Sequence, residues 1–324
     1  MQLKYKVLEV LEINKHKYIS GSSLAKELGV TRASVWKTIE ALRKEGYDIP
    51  GISKNGYRLE KSGDLLSADG ILRHIKTKGV FCVETRDIVT STNTVLRSEA
   101  AKGAPEGYVL AAEAQTEGKG RQGRSWYSPP GHAAYFSVIL RPKYTAGVAT
   151  LITAAASVAV ALAIESVFGV QAGIKWVNDL YYNGKKITGI ITEATMDFET
   201  GMIDNAVLGI GINVTQPVEG YPPELENIIT AVTDRTSGMN DERSRLIAAT
   251  LDYFWNFYID LEKRDYLDEY RKRSVLLGKR VFVHDTGNEK NATAVAIDDD
   301  CGLVIKYDNG RVETLRYGQV RVSI

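Results

Sequence analysis

Cysteine is nearly missing. Two occur in 324 residues, Cys82 and Cys301, far apart and without metal-type spacing. That argues against a disulfide scaffold and points to reduced thiols in a cytoplasmic protein. Histidine is also sparse, four in all and scattered, so neither a zinc site nor a histidine-based triad has support. Net charge is almost absent: 41 Lys and Arg against 40 Asp and Glu leave +1, so the whole chain is not a polycation. No run approaches the ~18 apolar residues of a membrane span. The first residues, Met-Gln-Leu-Lys-Tyr-Lys, begin an amphipathic pattern rather than a secretory signal. What remains is ordinary: 44% hydrophobic, 25% charged, and enough length for two or three domains with their own cores.

Glycine is concentrated where charge is. Gln115-Thr-Glu-Gly-Lys-Gly-Arg-Gln-Gly-Arg-Ser-Trp126 alternates Gly118, Gly120 and Gly123 with Lys119, Arg121 and Arg124. Glycine lets backbone lie close to a ligand, and arginine offers a fork of donors to carboxylate or phosphate oxygens. A dinucleotide-binding turn requires a helix directly afterwards, whereas Ser-Trp-Tyr-Ser-Pro-Pro-Gly131 follows. A Walker A loop requires a closing Gly-Lys-Ser/Thr, which is missing. The pattern describes a cationic loop able to wrap an anion; the alternative is a solvated surface loop.

The first 65 residues read as a small basic module. Leu3, Val7, Val10 and Leu11 mark one helix face. Ser20-Gly-Ser-Ser caps a second helix, Leu24 to Leu28, closed by Gly29, and Thr31 caps a third through Glu45, ended by Gly46. Asn55-Gly56 signals a tight hairpin. Residues 1–60 hold eleven Lys and Arg against seven Asp and Glu, a net +4 that suits a phosphate backbone. Three helices and a hairpin resemble a winged helix-turn-helix, which would offer Ser22, Thr31, Arg32, Ser34, Trp36 and Lys37 to DNA, with Lys54, Tyr57 and Arg58 on the wing. The alternative is a helical protein-interaction module.

The central region reads as α+β. Strands are expected at Val80 to Asp87, Tyr108 to Ala114 and Tyr135 to Leu140, and helices at Ser67 to Ile75, Thr150 to Phe168 and Asp241 to Lys263. Ser91-Thr92-Asn93 begins a helix, either as simple caps or as hydrogen-bond partners at a strand-helix junction. Hairpins at Asn183-Gly184 and near Glu199-Thr-Gly201 imply an antiparallel meander rather than a βαβ series. Beyond residue 273, short strands around Val281, Ala294, Val304, Val312 and Val320 read as a small five-stranded barrel.

Taken in order, Ser-Thr-Asn (91–93), Gln115 with Gly-Lys-Gly-Arg-Gln-Gly-Arg (118–124), Lys-Trp-Val-Asn-Asp (175–179), Gly184-Lys-Lys-Ile-Thr-Gly-Ile-Ile-Thr-Glu193 and Gly209-Ile-Gly-Ile-Asn213 resemble the biotin–protein ligases. With the winged module the chain is similar to the bifunctional biotin ligase and biotin-operon repressors of bacteria. Lys119 stands where the family usually has Arg, and Val177 where it has Pro. The resemblance implies a winged domain at 1–65, a mixed or antiparallel catalytic domain of class II synthetase type at 66–273, and an SH3-like barrel at 274–324. It also implies a reaction: the biotin carboxylate attacks the α-phosphate of ATP, assisted by Mg²⁺, to give biotinyl-5′-AMP, and an acceptor lysine of a biotin carboxyl carrier protein takes the biotin. Lys186 and Arg121 would be catalytic. Ser91, Thr92, Asn93, Gln115, Lys119, Gly120, Arg121 and Lys186 would hold biotin. Arg121, Arg124, Trp176, Asn178, Asp179 and Asn213 would hold the nucleotide. The adenylate would promote a homodimer that binds operator DNA. The alternatives are a small-acid-sensing regulator without catalysis, and a lipoate-type ligase.

Overall fold

Val7, Leu8, Val10 and Leu11 recur at helical spacing and are buried, giving α1 (Leu3–Ile13) its inner face. The computed structural model describes residues 3–14, 17–44, 47–52, 55–60, 66–144, 148–197, 199–217, 219–234, 241–285, 288–316 and 321–323. α2 (Gly21–Leu28) starts on Ser20, whose hydroxyl accepts from Ser23 N, and stops at Gly29 in the left-handed region. α3 (Arg32–Lys44) turns Val35, Ile39 and Leu42 inward. β1 (Gly51–Ile52) and β2 (Gly56–Tyr57) form the wing, and Ile19 adds a bridge to Tyr57. These elements bury a core of their own, from Val7 to Leu59. The expected wing residue Lys54, the helix end at Glu45 and Gly46, and the strand residue Val320 lie outside the described residues.

The central sheet has seven strands: β3 (Cys82–Val89), β4 (Tyr108–Gln115), β5 (Ala133–Leu140), β6 (Gly173–Lys175), β7 (Asp179–Tyr182), β8 (Lys185–Met196) and β9 (Ile203–Asn213), in the order β3-β4-β5-β9-β8-β7-β6. Five of its six pairings are antiparallel. The sixth corrects the expected meander. β3 and β4 are parallel, because α5 (Thr92–Ala101) crosses over between them and buries Leu96 and Ala100 on the sheet. α4 (Ala68–His74) precedes β3. The opposite sheet face carries α6 (Ala149–Phe168) and α8 (Glu242–Tyr258). α8 stops at Tyr258, short of the expected Lys263, and a separate turn of 3₁₀-helix spans Leu261–Lys263. Thr150–Phe168 is long and apolar enough to cross a membrane by length and composition, contrary to the sequence expectation; 72% of that window is buried inside the fold. α7 (Pro223–Glu226) and α9 (Leu267–Lys272) are short connectors.

β10 (Arg280–Asp285), β11 (Asn288–Ile297), β12 (Leu303–Tyr307), β13 (Val312–Leu315) and β14 (Arg321–Ser323) make an antiparallel sheet in the order β13-β12-β11-β10-β14. Val281, Val283, Ala294, Leu303 and Ile305 belong to the same apolar core as α6 and the central sheet. Val275 N donates to Ile174 O at 2.9 Å, tying the approach to β10 onto β6.

Candidate active site and DNA-facing helix

A cavity of about 230 Å³ opens on the sheet face that carries α5. Its walls come from the start of α5, the glycine-rich loop, the β6–β7 turn, and the paired strands β8 and β9. Every residue expected to hold biotin lines it, as do Arg124, Trp176, Asn178 and Asp179. Asn213 is the exception. It is buried and its Nδ2 donates to Thr230 O at 3.2 Å, steadying a segment that pairs with the Lys186 backbone.

Ser91 is the N-cap residue of α5 but makes no side-chain capping bond, so the triplet is not a simple helix start. Instead Gln115 Oε1 accepts from Thr92 N at 2.9 Å, while Gln115 Nε2 donates to Ser128 Oγ at 3.0 Å. Ser137 Oγ lies 2.7 Å from Thr92 Oγ1 and 2.6 Å from Asn93 Oδ1. Asn93 Nδ2 donates to Glu193 Oε2 at 2.8 Å, and Arg97 pairs with the other carboxylate oxygen. The network fixes which way the Asn93 amide points. Gly209 makes room for it: a Cβ there would meet Asn93 Oδ1 at 2.0 Å.

The glycine loop folds back on itself. Gly120 N donates to Arg124 O at 2.7 Å and Trp126 N to Gly118 O at 2.8 Å, around a 3₁₀ turn at Arg121–Gly123. No helix follows, as the sequence required. Arg121 reaches across the cavity to Asn178 Oδ1 at 2.8 Å. Lys186, on the hairpin turned by Asn183-Gly184, pairs with Asp179 at 2.7 Å. Asp179 also accepts from Asn178 Nδ2. The two cations expected to be catalytic are therefore held by neighbouring residues, Asn178 in the β6–β7 turn and Asp179 at the start of β7. Trp176 lines the cavity while its Nε1 donates to Cys301 O at 2.8 Å, and the Trp176–Val177 peptide is cis.

Trp126, the last residue of the glycine-rich stretch, is a wall of the cavity that the motifs do not single out. Its ring lies over the cross-strand pair Gly189 and Gly211, where added Cβ atoms would stand 2.7 and 2.6 Å away. Lys186 Nζ is 5.2 Å from the ring centroid, and Nε1 is buried without a hydrogen-bond partner. Lys175, Gln122, Ser125 and Tyr181 also line the cavity unpredicted. The available signal was the run of small residues on β8 and β9, which only a bulky partner would fill.

The first module places Arg32, Trp36 and Lys37 on the exposed side of α3, with Ser22 exposed at the start of α2. Thr31 Oγ1 accepts from Ser34 N and lies 2.8 Å from Ser34 Oγ, and Thr38 Oγ1 donates to Ser34 O. Arg58 pairs with Glu60 and covers the Tyr18 ring at 4.6 Å. Thr31, Ser34 and Arg58 thus have partners within the fold.

A winged module followed by a mixed-sheet domain with a cationic cavity and a small β-sheet defines the ligase class, and the comparisons agree. Residues 85–213 match the biotin/lipoate A/B protein ligase family, residues 4–58 a helix-turn-helix domain, and residues 276–322 the biotin protein ligase C-terminal domain. The chain is 33% identical over 318 residues to the bifunctional ligase/repressor BirA of Bacillus subtilis, covering 95% of each. It is 29% identical to the protein of the same name from Escherichia coli, covering 90% of this chain and 92% of that one. The fold is shared with a biotin protein ligase from Aquifex aeolicus solved with biotin and ATP, at TM-score 0.61 and 23% identity over 74% of this chain and 98% of that one. The chain belongs to the family of bifunctional biotin ligase/repressors.

Proposed function

We propose that this chain joins biotin to ATP as biotinyl-5′-AMP and passes the biotinyl group to a lysine of a biotin carboxyl carrier protein. The charge of the cavity carries the reading. Lys119, Arg121, Arg124, Lys175 and Lys186 line it, and Asp179 is its one carboxylate among the described residues. A carboxylate meeting a triphosphate brings two anions together, so positioned cations and exclusion of water lower that barrier. The carboxylate oxygen bonds the α-phosphorus, the bond to the β-phosphate oxygen breaks, and pyrophosphate departs. The acceptor amine then attacks the acyl carbon, AMP leaves, and the nitrogen loses its proton.

Lys186 exchanges Asp179 for the biotin carboxyl and the α-phosphate. Arg121 and Arg124 take phosphate oxygens, and Lys119 closes over the biotin. Ser91, Thr92, Asn93 and Gln115 hold the ureido ring, Trp176 and Asn178 flank the nucleotide, and Asn213 acts by steadying the segment around Ile229 that pairs with Lys186. A Mg²⁺ ion accompanying ATP would be held beside the phosphates. Such an ion takes its ligands from phosphates, water and one or two carboxylates. Asp179 fits that part, and no group of three His, Cys, Asp or Glu suited to a metal occurs among the described residues. When bound, the ion neutralises charge on the departing pyrophosphate.

The same chain is proposed as a repressor, with parts at 1–65, 66–273 and 274–324. The adenylate promotes a homodimer whose paired modules bind operator DNA. The primary experiment is biotin-dependent exchange of labelled pyrophosphate into ATP. Exchange that needs biotin supports the ligase. Binding without exchange leaves a sensor, and exchange driven by lipoate instead of biotin leaves a lipoate-type ligase.

A further inference from the structure

We infer that Trp36, with Ala33 beside it, reads thymine through its 5-methyl group in the major groove and sets part of the operator sequence. The inference rests on the repressor reading. Trp36 is 54% exposed, on the helix whose opposite side buries Val35, Ile39 and Leu42 completely. An exposed indole at the middle of a surface helix gives up apolar burial, and a helix with no partner gains nothing from it.

The neighbouring chemistry selects the partner. Arg32 and Ala33 precede Trp36 by four and three residues, so all three share one helical side, and Lys37 is exposed next in sequence. The module carries a net +4 over residues 1–60. A cation-flanked apolar patch matches a phosphate-walled groove with a methyl-bearing floor. Part of the hydrogen-bonding capacity of the hydroxyls at α3 is taken up within the helix and its cap. Thr31 caps Ser34 N, Ser34 bonds Thr31, and Thr38 donates to Ser34 O. The stem of Arg32 lies against Gly21 at the start of α2, and the Tyr57 ring of the wing reaches the same glycine. Arg32 is thereby held toward the groove walls while Trp36 and Ala33 face its floor.

The test uses the full chain with biotin, ATP and Mg²⁺. A pool of random 40-base-pair duplexes is selected on the wild-type protein, and each thymine of the enriched sequence is then replaced by deoxyuridine. Removing one contacted methyl is expected to weaken wild-type binding about fourfold, equivalent to about 0.8 kcal/mol. Trp36→Ala should bind the parent more weakly and lose its sensitivity to at least one of those replacements, whereas Trp36→Phe should retain it. Far-ultraviolet circular dichroism checks that each variant is folded. Uracil costing Trp36→Ala as much as the wild type at every position, or costing neither anything, overturns the inference and leaves the repressor intact. A wild-type chain that enriches no sequence overturns the repressor reading, and the inference with it.

Discussion

On the proposed mechanism, Lys186 must exchange its partner for chemistry to occur. It sits 2.7 Å from Asp179 and beside the Trp126 ring, waiting on an acid of its own chain. Lys186→Ala should slow single-turnover formation of biotinyl-AMP by about 10²–10³, or about 2.7–4 kcal/mol, the scale of losing one donor to a developing oxyanion. An unchanged rate would remove Lys186 from the mechanism. Gly209→Ala tests the other end of the site. Its Cβ would stand 2.0 Å from Asn93 Oδ1, so Asn93 must leave Ser137 or Glu193. Biotin affinity measured by calorimetry should fall by about 1–3 kcal/mol, the range for stranding a buried polar group, with ATP affinity much less affected. Equal losses for both ligands would contradict the assignment of Asn93 to biotin. At this scale the sequence was legible where chemistry was written in polar motifs: nearly every named residue lines one cavity. Trp126, Ser137 and the bonding of Glu193 were not, because which side chain rests on which glycine depends on how β8 registers with β9.

The glycine-rich loop is an element with few apolar contacts and several cations. Its hold on the opposite wall includes the bond from Arg121 to Asn178. Biotinyl-AMP offers its oxygens a larger set of negative partners, so the ligand should order the loop at the expense of glycine entropy. Trypsin should cleave after Lys119, Arg121 or Arg124 readily in the empty protein and slowly with biotin and ATP. Arg121→Gly should abolish that protection and release the adenylate faster. Cleavage at the same rate in both states would refute the ordering. Strand hairpins could be foreseen because Asn183 and Gly184 both adopt positive φ, which few other pairs tolerate. The parallel pairing of β3 with β4 could not. A crossover helix and a surface helix have the same apolar period, and only the buried contacts of Leu96 and Ala100 separate them.

For the whole molecule, two separate apolar clusters matter most. One spans Val7 to Leu59 and the other runs from Ile71 to Leu315. The first can therefore be removed without opening the second. Deleting residues 1–65 should abolish operator binding and leave pyrophosphate exchange largely intact. A single module of net +4 makes few phosphate contacts, so tight binding calls for two copies. Sedimentation should show the full chain shifting from monomer to dimer when biotin and ATP are supplied, in step with its affinity for DNA. Tight operator binding by a protein that stays monomeric would sink the coupling.

The indole hydrogen bond from Trp176 to the carbonyl of Cys301 gives the protein a timetable. Trp176 forms part of the cavity wall, yet its anchor is synthesised long after the loop, the lysine hairpin and the α5 cap have left the ribosome. β14, which completes the last sheet by pairing with β10, is made later still. A growing chain thus holds all its charged groups before it holds the wall that sets their shape. A chain truncated before Cys301 should therefore lack the hydrogen bond that anchors Trp176, and pyrophosphate exchange by such a truncated chain, measured against the full chain, checks how far the cavity depends on that anchor.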